Sequence, residues 1–188
     1  MTLPAPLDIG PMPAGRTMTT IDERHVRAPL PRIFALAADV ERWPSHLPHY
    51  RYVRFVERRA DGGGVVEMSA YRPFGLLQWP TWWRSLMRVH APGGTGRPDI
   101  RFTHVAGVTA GMEVEWSFQE DAGGTRVRIV HVWDGPPVPV LGELAATAVI
   151  GPVFVHGIAS RTLAGLAAAA ERADERAAML QYPGGSSA

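Results

Sequence analysis

The amino-acid sequence predicts an α+β domain in which a curved antiparallel sheet of about seven strands wraps around one long C-terminal helix, with one or two short helices after the first strand. Three observations carry this. Apolar residues recur at helical spacing in two places, Pro31 to Arg42 and Val140 to about Met179. Between them, runs of β-forming residues are separated by turn signals, chiefly Asp61-Gly62-Gly63-Gly64 and Ala122-Gly123-Gly124. Strands and helices do not alternate as in a doubly wound sheet, and no internal repeat is visible. A sheet that grips a helix encloses a cavity, so this geometry alone suggests a small-molecule site.

Met18 to Arg27 reads as the first strand, ended by Ala28-Pro29. Pro31 suits the first turn of a helix, and Ile33, Phe34, Leu36, Ala37 and Val40 form its apolar stripe. Trp43-Pro44 is expected to end that helix, because a residue before proline disfavours α dihedrals. Strands follow at Tyr50 to Glu57, Val65 to Arg72, Trp82 to His90, Asp99 to Val105, Met112 to Gln119 and Thr125 to Trp133. Tyr71 to Thr81, with Pro73, Gly75 and Pro80, reads in part as a loop at a pocket rim. Pro136, Pro137 and Pro139 break the chain before the C-terminal helix, which Gly151-Pro152 interrupts. The expected organisation is a flexible tail over 1–16, one folded domain over 17–178 and a second flexible tail over 179–188.

Composition narrows the chemistry. With 188 residues, 46% apolar and 20% charged, the chain can bury a real core. A net charge of +1 argues against a protein that neutralises many nucleic-acid phosphates. There is no cysteine, which excludes disulfides, thiol nucleophiles and Cys-ligated metals. All 19 basic residues are arginine, which excludes Schiff-base lysine chemistry and a P-loop lysine. All-arginine usage with 20 Gly and 17 Pro fits a GC-rich bacterial genome. No secretory pattern opens the chain, and its longest uncharged stretch, Leu144 to Ser160, is short for a membrane span. Cytoplasm is the expected compartment, and membrane contact is disfavoured.

Candidate site residues fall in three groups. Aromatic residues crowd between Trp43 and Trp83, and flat aromatic walls suit a planar or polyketone ligand. Arg72, Arg84, Arg88 and Arg101 lie in otherwise apolar strands, where alternation cannot turn all of them inward. His104, His131 and His156 lie within expected walls; Phe102 shares parity with His104, and Val127, Ile129 and Trp133 share it with His131, so both sets read as inward faces. His25, His46, His49 and His90 read as surface or rim. An imidazole near neutral pH can take up a proton. No His-x-x-x-His or His-Glu-x-x-His occurs, and Glu113 and Glu115 lie opposite Met112, Val114 and Trp116, so a metal site is disfavoured. No Gly-rich phosphate loop follows a strand, which disfavours nucleotide cofactors.

The segment from Asp39 to Tyr50 (DVERWPSHLPHY), with the element order, resembles the START-related helix-grip (SRPBCC) superfamily, and in particular bacterial polyketide aromatase/cyclases. Trp82 to Pro92 is similar to their aromatic-plus-arginine strand, Gly111 to Trp116 to their strand ending in Trp, and Gly123 to Val127 to their last hairpin. The likeness spans about Thr17 to Ala173. It implies a helix-grip fold and a cofactor-free, metal-free intramolecular aldol cyclisation and dehydration of a poly-β-ketone. By local spacing it assigns the pocket arginine to Arg88 and the pocket tyrosine to Tyr50. The pocket tryptophans fall nearest Trp82, Arg84 and Trp116, with Trp83 able to replace Arg84 through a bulge. In this reading His104 or His131 is the base, and Arg88 with Tyr50 stabilises the oxyanion. Trp43, Trp82, Trp83, Arg84, Trp116, Trp133 and His156 contact substrate in a pocket of several hundred Å³, roughly the small-ligand range. The expected partner is a hydrophobic or aromatic small molecule, with an acyl carrier or polyketide synthase as a macromolecular partner and no nucleic acid. The alternatives are a non-catalytic carrier of a quinone, isoprenoid or lipid, and an interaction module built on Leu144 to Ser160.

Overall fold

The computed structural model describes residues 2–74, 77–135 and 156–181; the side chains at 72–79, 156 and 177–181 lie outside that description. The elements are β1 (Met18–Val26), α1 (Leu30–Ala38), a 3-10 turn (Val40–Arg42), α2 (Trp43–His46), β2 (Tyr50–Arg58), β3 (Gly64–Phe74), β4 (Leu77–His90), β5 (Asp99–Gly107), β6 (Glu113–Asp121), β7 (Gly124–Trp133) and α3 (His156–Gln181). The expected helix onset near Val140, the proline break before it, the interruption at Gly151-Pro152 and the last residues of the C-terminal tail lie outside the described residues.

The seven strands form one sheet in the order β1-β7-β6-β5-β4-β3-β2, antiparallel at every pairing. Strands β2 to β7 make a meander, while β1 closes against β7, so α1 and α2 carry the chain from one sheet edge to the other. Helix α3 packs on β1 and against α1 and α2, which gives the expected helix-grip arrangement. Gly165 permits its close approach: a Cβ there would sit 2.3 Å from Cδ2 of Leu47, a side chain itself buried.

Helix α1 buries Leu30, Ile33, Phe34 and Ala37, the i, i+3, i+4, i+7 stripe of an amphipathic helix. It stops at Ala38, short of the expected end at Arg42. Trp43 does not leave the α region: its dihedrals are −53° and −42°, and a short helix continues through Pro44. The indole explains this. Trp43 is buried and its Nε1 donates to the Leu36 carbonyl at 3.2 Å, and burying a Trp with its N–H satisfied outweighs a pre-proline preference. The expected rim loop over Tyr71 to Thr81 is largely strand, since Tyr71 pairs with Pro80 and Phe74 with Leu77.

The N-terminal segment crosses the outer side of the sheet. The Pro4 carbonyl accepts from the Ala60 amide (2.9 Å) and the Gly10 carbonyl from Arg101 Nη1 (3.2 Å). The Thr17 amide donates to Asp134 (3.0 Å), which also pairs with Arg16.

Candidate active site

Side-chain alternation on the strands sends one set of residues toward α3, and these enclose a cavity. Strands β2 to β4 contribute Tyr50, Met68 and Trp83; β5 contributes Phe102 and His104; β6 and β7 contribute Val114, Trp116, Ile129 and His131. Trp43 closes one side, Thr109 and Met112 come from the β5–β6 connection, and Ile158, Ala159 and Thr162 come from α3. The walls are aromatic and in mutual contact. Ring centroids lie 5.3 Å apart for Trp43 and Tyr50, 5.7 Å for Trp43 and Trp116, and 6.2 Å for Tyr50 and Trp83. These side chains fill much of the interior, and the cavity is about 70 Å³, smaller than the several hundred Å³ expected.

The polar groups at this lining are imidazoles and hydroxyls. His104 Nδ1 lies 2.7 Å from Thr109 Oγ1, and the His104 ring stacks on Trp83 at 6.0 Å and 23°. His131 Nδ1 lies 3.4 Å from Thr20 Oγ1. The register places His131 opposite Val114, one strand away from β5, so the two histidine backbones are on the order of 10 Å apart. Imidazoles reaching inward from that separation can meet one small substrate at two different atoms. At the rim, His49 Nε2 lies 3.1 Å from Thr162 Oγ1, and burial first, then the Arg161 charge, holds the His49 pKa below the usual imidazole range.

Of the sequence candidates, Trp43, Tyr50, Trp83, His104, Trp116 and His131 line the cavity. Trp133 is buried outside the lining and donates from Nε1 to the Ala110 carbonyl at 2.9 Å. The His156 side chain lies outside the described residues. Three candidates on β4 face the other way. Trp82 is 46% exposed, Arg84 pairs with Glu67 at 2.9 Å, and Arg88 pairs with Asp99 at 3.4 Å, all on the outer side of the sheet. This corrects the assignment of Arg88 as oxyanion donor and of Trp82 and Arg84 as substrate contacts. The parity of β4 follows Trp83, Ser85, Met87 and Val89, all buried, which leaves even-numbered positions outside. A bulge between Arg84 and Ser85 shifts the pairing with β5 without bringing either arginine inward. Among the described residues, no arginine lines the cavity.

Sequence reasoning missed Thr109, Thr162 and the inward contact of His49. Thr109 sits between Gly107 and Gly111, a turn signal that marks a loop but not its direction. Thr162 follows Ser160 and Arg161 ahead of the alanine-rich run, and only packing shows which of them meets the interior.

Residues 26–157 match the family described as polyketide cyclase/dehydrase and lipid transport. No curated protein matches the chain in sequence. Among solved structures, TTHA0849 from Thermus thermophilus superposes with a TM-score of 0.66 at 20% identity, covering 83% of this chain and 99% of that one. The Zhui aromatase/cyclase from Streptomyces sp. R1128 gives 0.66 at 18% identity, covering 82% and 94%. A START superfamily protein from Mycobacterium smegmatis gives 0.55 at 18% identity, covering 84% and 97%. At these identities the likeness establishes a shared fold. No helix among the described residues is long and apolar enough to cross a membrane.

Proposed function

The chain belongs to the polyketide cyclase/dehydrase and lipid transport family, and from that premise we propose that it is a polyketide cyclase/aromatase acting without a cofactor on a short poly-β-ketone. The observation that carries this reading is the pair of buried imidazoles, His104 and His131, on the wall of one aromatic cavity, each with Nδ1 at a threonine hydroxyl. Aldol cyclisation needs the chain held folded, a base, and a proton donor at oxygen. One imidazole takes a proton from a carbon between two carbonyls, and the C–H electron pair becomes the enolate. The enolate carbon bonds to a second carbonyl carbon, whose oxygen takes the proton from the imidazolium just formed, giving a hydroxyl and returning that imidazole to its neutral form. A second C–H proton is then lost to base while the hydroxyl leaves with a proton from the other imidazolium, so the net change is loss of one water. The Tyr50 hydroxyl, at the same lining, donates to the developing oxyanion in place of an arginine.

Cavity size bears on the substrate. At about 70 Å³ the cavity has room for a few waters between its aromatic walls, so a substrate must displace them and move the side chains that fill it. In this reading the substrate is presented free or by an acyl carrier. A second reading, non-catalytic carriage of a quinone, isoprenoid or lipid, is favoured by the lack of a cation at the described lining. Incubation with a synthetic tri- or tetra-β-ketone thioester, followed by absorbance of the aromatic product, separates the two. Turnover that is lost in both His104→Gln and His131→Gln supports the cyclase; saturable binding of the same thioester with no rate above the buffer reaction overturns it in favour of the carrier.

A further inference from the structure

Exposed apolar side chains are ordinary when scattered and informative when they gather. Four large ones gather on the outer side of the sheet, at the ends of β3, β4 and β5. Tyr71, Trp82, Val105 and Val108 are each 37% to 49% exposed. Register makes them neighbours. Trp82 pairs with Ser69 and Pro80 with Tyr71, so the two aromatic rings stand on a diagonal across β3 and β4. On the other flank Arg84 pairs with Ala106 and Ser85 with His104, which leaves Val105 as the extra residue of a bulge beside Arg84. Gly107 brings Val108 to Trp82. Its φ is +91°, and a Cβ there would lie 2.3 Å from the Trp82 carbonyl oxygen, so only glycine lets the chain pass so close to β4. The Val108 amide then meets that carbonyl at 3.4 Å. The hydrogen bonds of the N-terminal segment fall at Arg59, Ala60, Arg101 and Asp134, outside this patch.

Arginines surround the patch. The Arg51 guanidinium lies over the Tyr71 ring at 5.6 Å and meets no acid among the described residues. Arg54 and Arg84 share the Glu67 carboxylate, at 2.6 Å and 2.9 Å. Three guanidiniums against one carboxylate leave the described patch with a net charge of +2. We propose that this patch is a docking surface for an acidic protein partner, with Trp82 as the apolar anchor and Arg51 as the charge that a partner carboxylate meets. Trp, Tyr and Arg are the residue types that carry most of the energy of protein interfaces, and an opposite charge on the partner steers and orients the encounter. A second copy of this chain is a poor occupant, because a two-fold pairing sets the same net positive charge against itself. An anionic lipid surface takes about four to eight basic residues, and here two of the three arginines are already held by Glu67. The patch lies on the face opposite the cavity, so the proposal stands whether the cavity catalyses or carries.

The probe is a dye-labelled amphipathic peptide of Glu, Leu and Ala, about 18 residues long so that it can form a helix, titrated into the full chain and read by fluorescence anisotropy. The same peptide with Gln at every Glu is the control. The acidic peptide should bind saturably and more weakly as salt rises, and the Gln peptide should bind at least about tenfold more weakly. Trp82→Ala and Arg51→Gln should each weaken the acidic peptide about tenfold or more. Ile21→Ala, which removes an equally exposed apolar side chain on the far edge strand, should bind as the parent does. Denaturant unfolding of each variant checks that it is folded. Absence of saturable binding by the acidic peptide, or parent affinity in both Trp82→Ala and Arg51→Gln, would overturn the proposal. So would a parent that binds phosphatidylglycerol vesicles through Trp82 but not the peptide, or one that sediments as a dimer which Trp82→Ala dissociates.

Discussion

The two faces of the sheet are made by the same strands and bury polar groups in different ways. On β5, Phe102 and His104 face the cavity, while Arg101 and Thr103 face outward beneath the N-terminal segment; Arg101 is only 1% exposed. On the inner face the buried polar groups can be neutral, and each histidine meets a hydroxyl. On the outer face buried polar groups include permanent charge: Arg101 is buried, the partly buried Arg88 stands directly opposite it, and each is offset by an acid, Glu113 at 3.2 Å and Asp99 at 3.4 Å. Like charges opposite one another in a sheet repel, so those acids are structural requirements. A buried arginine is therefore not a mark of function here. An imidazole can exchange a proton at neutral pH, whereas a guanidinium cannot.

The contrast can be broken at several points. The largest effect is expected inside: His104→Gln should lower turnover by roughly 10²–10⁴-fold, the usual contribution of a general base, while Arg88→Ala should keep about the parent rate per folded molecule. An inactive but folded Arg88→Ala would return function to the outer face. Next come changes to the framework of each face. Arg101→Ala leaves Glu113 without its buried partner and should cost about 3–5 kcal/mol in denaturant unfolding, with normal kcat in the fraction that folds. Trp83→Ala should cost about 3–5 kcal/mol, and its exposed neighbour in Trp82→Ala under about 0.5 kcal/mol; equal losses would mean the parity of β4 is misassigned.

Smaller effects depend on pH. Hydrogen bonds from Arg84 and then Arg54 hold the Glu67 carboxyl below the usual range, and that carboxylate is buried on the outer face. Its folded pKa lies below the unfolded one, so its stabilisation is present above the ordinary carboxylate pKa and is lost as pH falls through the lowered value. Glu67→Gln should cost about 1–3 kcal/mol at pH 7, and the gap to the parent should close in acid; a gap constant from pH 7 to pH 3 would remove the ion pair as its cause. The smallest effect lies at the rim. Arg161→Gln should raise the His49 pKa only part of the way to the free value, because burial is the larger cause of its depression. NMR titration of His49 checks this, and full restoration would make the charge, not burial, dominant.

The N-terminal segment shows why burial and function separate. Its carbonyls at Pro4 and Gly10 meet groups on the sheet, so the outer side of β5 is covered although no helix lies there among the described residues. From the sequence those residues read as a Pro- and Gly-rich tail, because their main-chain carbonyls accept the hydrogen bonds and leave no apolar pattern to read.

By itself the sequence determined the order of elements, the meander and its turns, and the residues that share a face. Phe102 with His104, and Val127 and Ile129 with His131, were legible because their spacing of two cannot be changed by packing. So was the Trp43 to Tyr50 segment, whose motif placed two wall residues. What only the tertiary structure decided was which of the two faces each set takes on β4, and which groups meet across the cavity. Alternation has two solutions; on β4 the odd positions, with Trp83, Met87 and Val89, are the more apolar, and both arginines share the even ones, so the family likeness that assigns Arg88 to the cavity runs against the strand's own pattern. Long-range partners fix the outcome: Asp99 and Glu67 hold Arg88 and Arg84 outside, and Tyr50 and His104 receive Trp83. Those partners lie on other strands, brought into register only when the sheet closes around its helix, and so no local pattern in the chain records them.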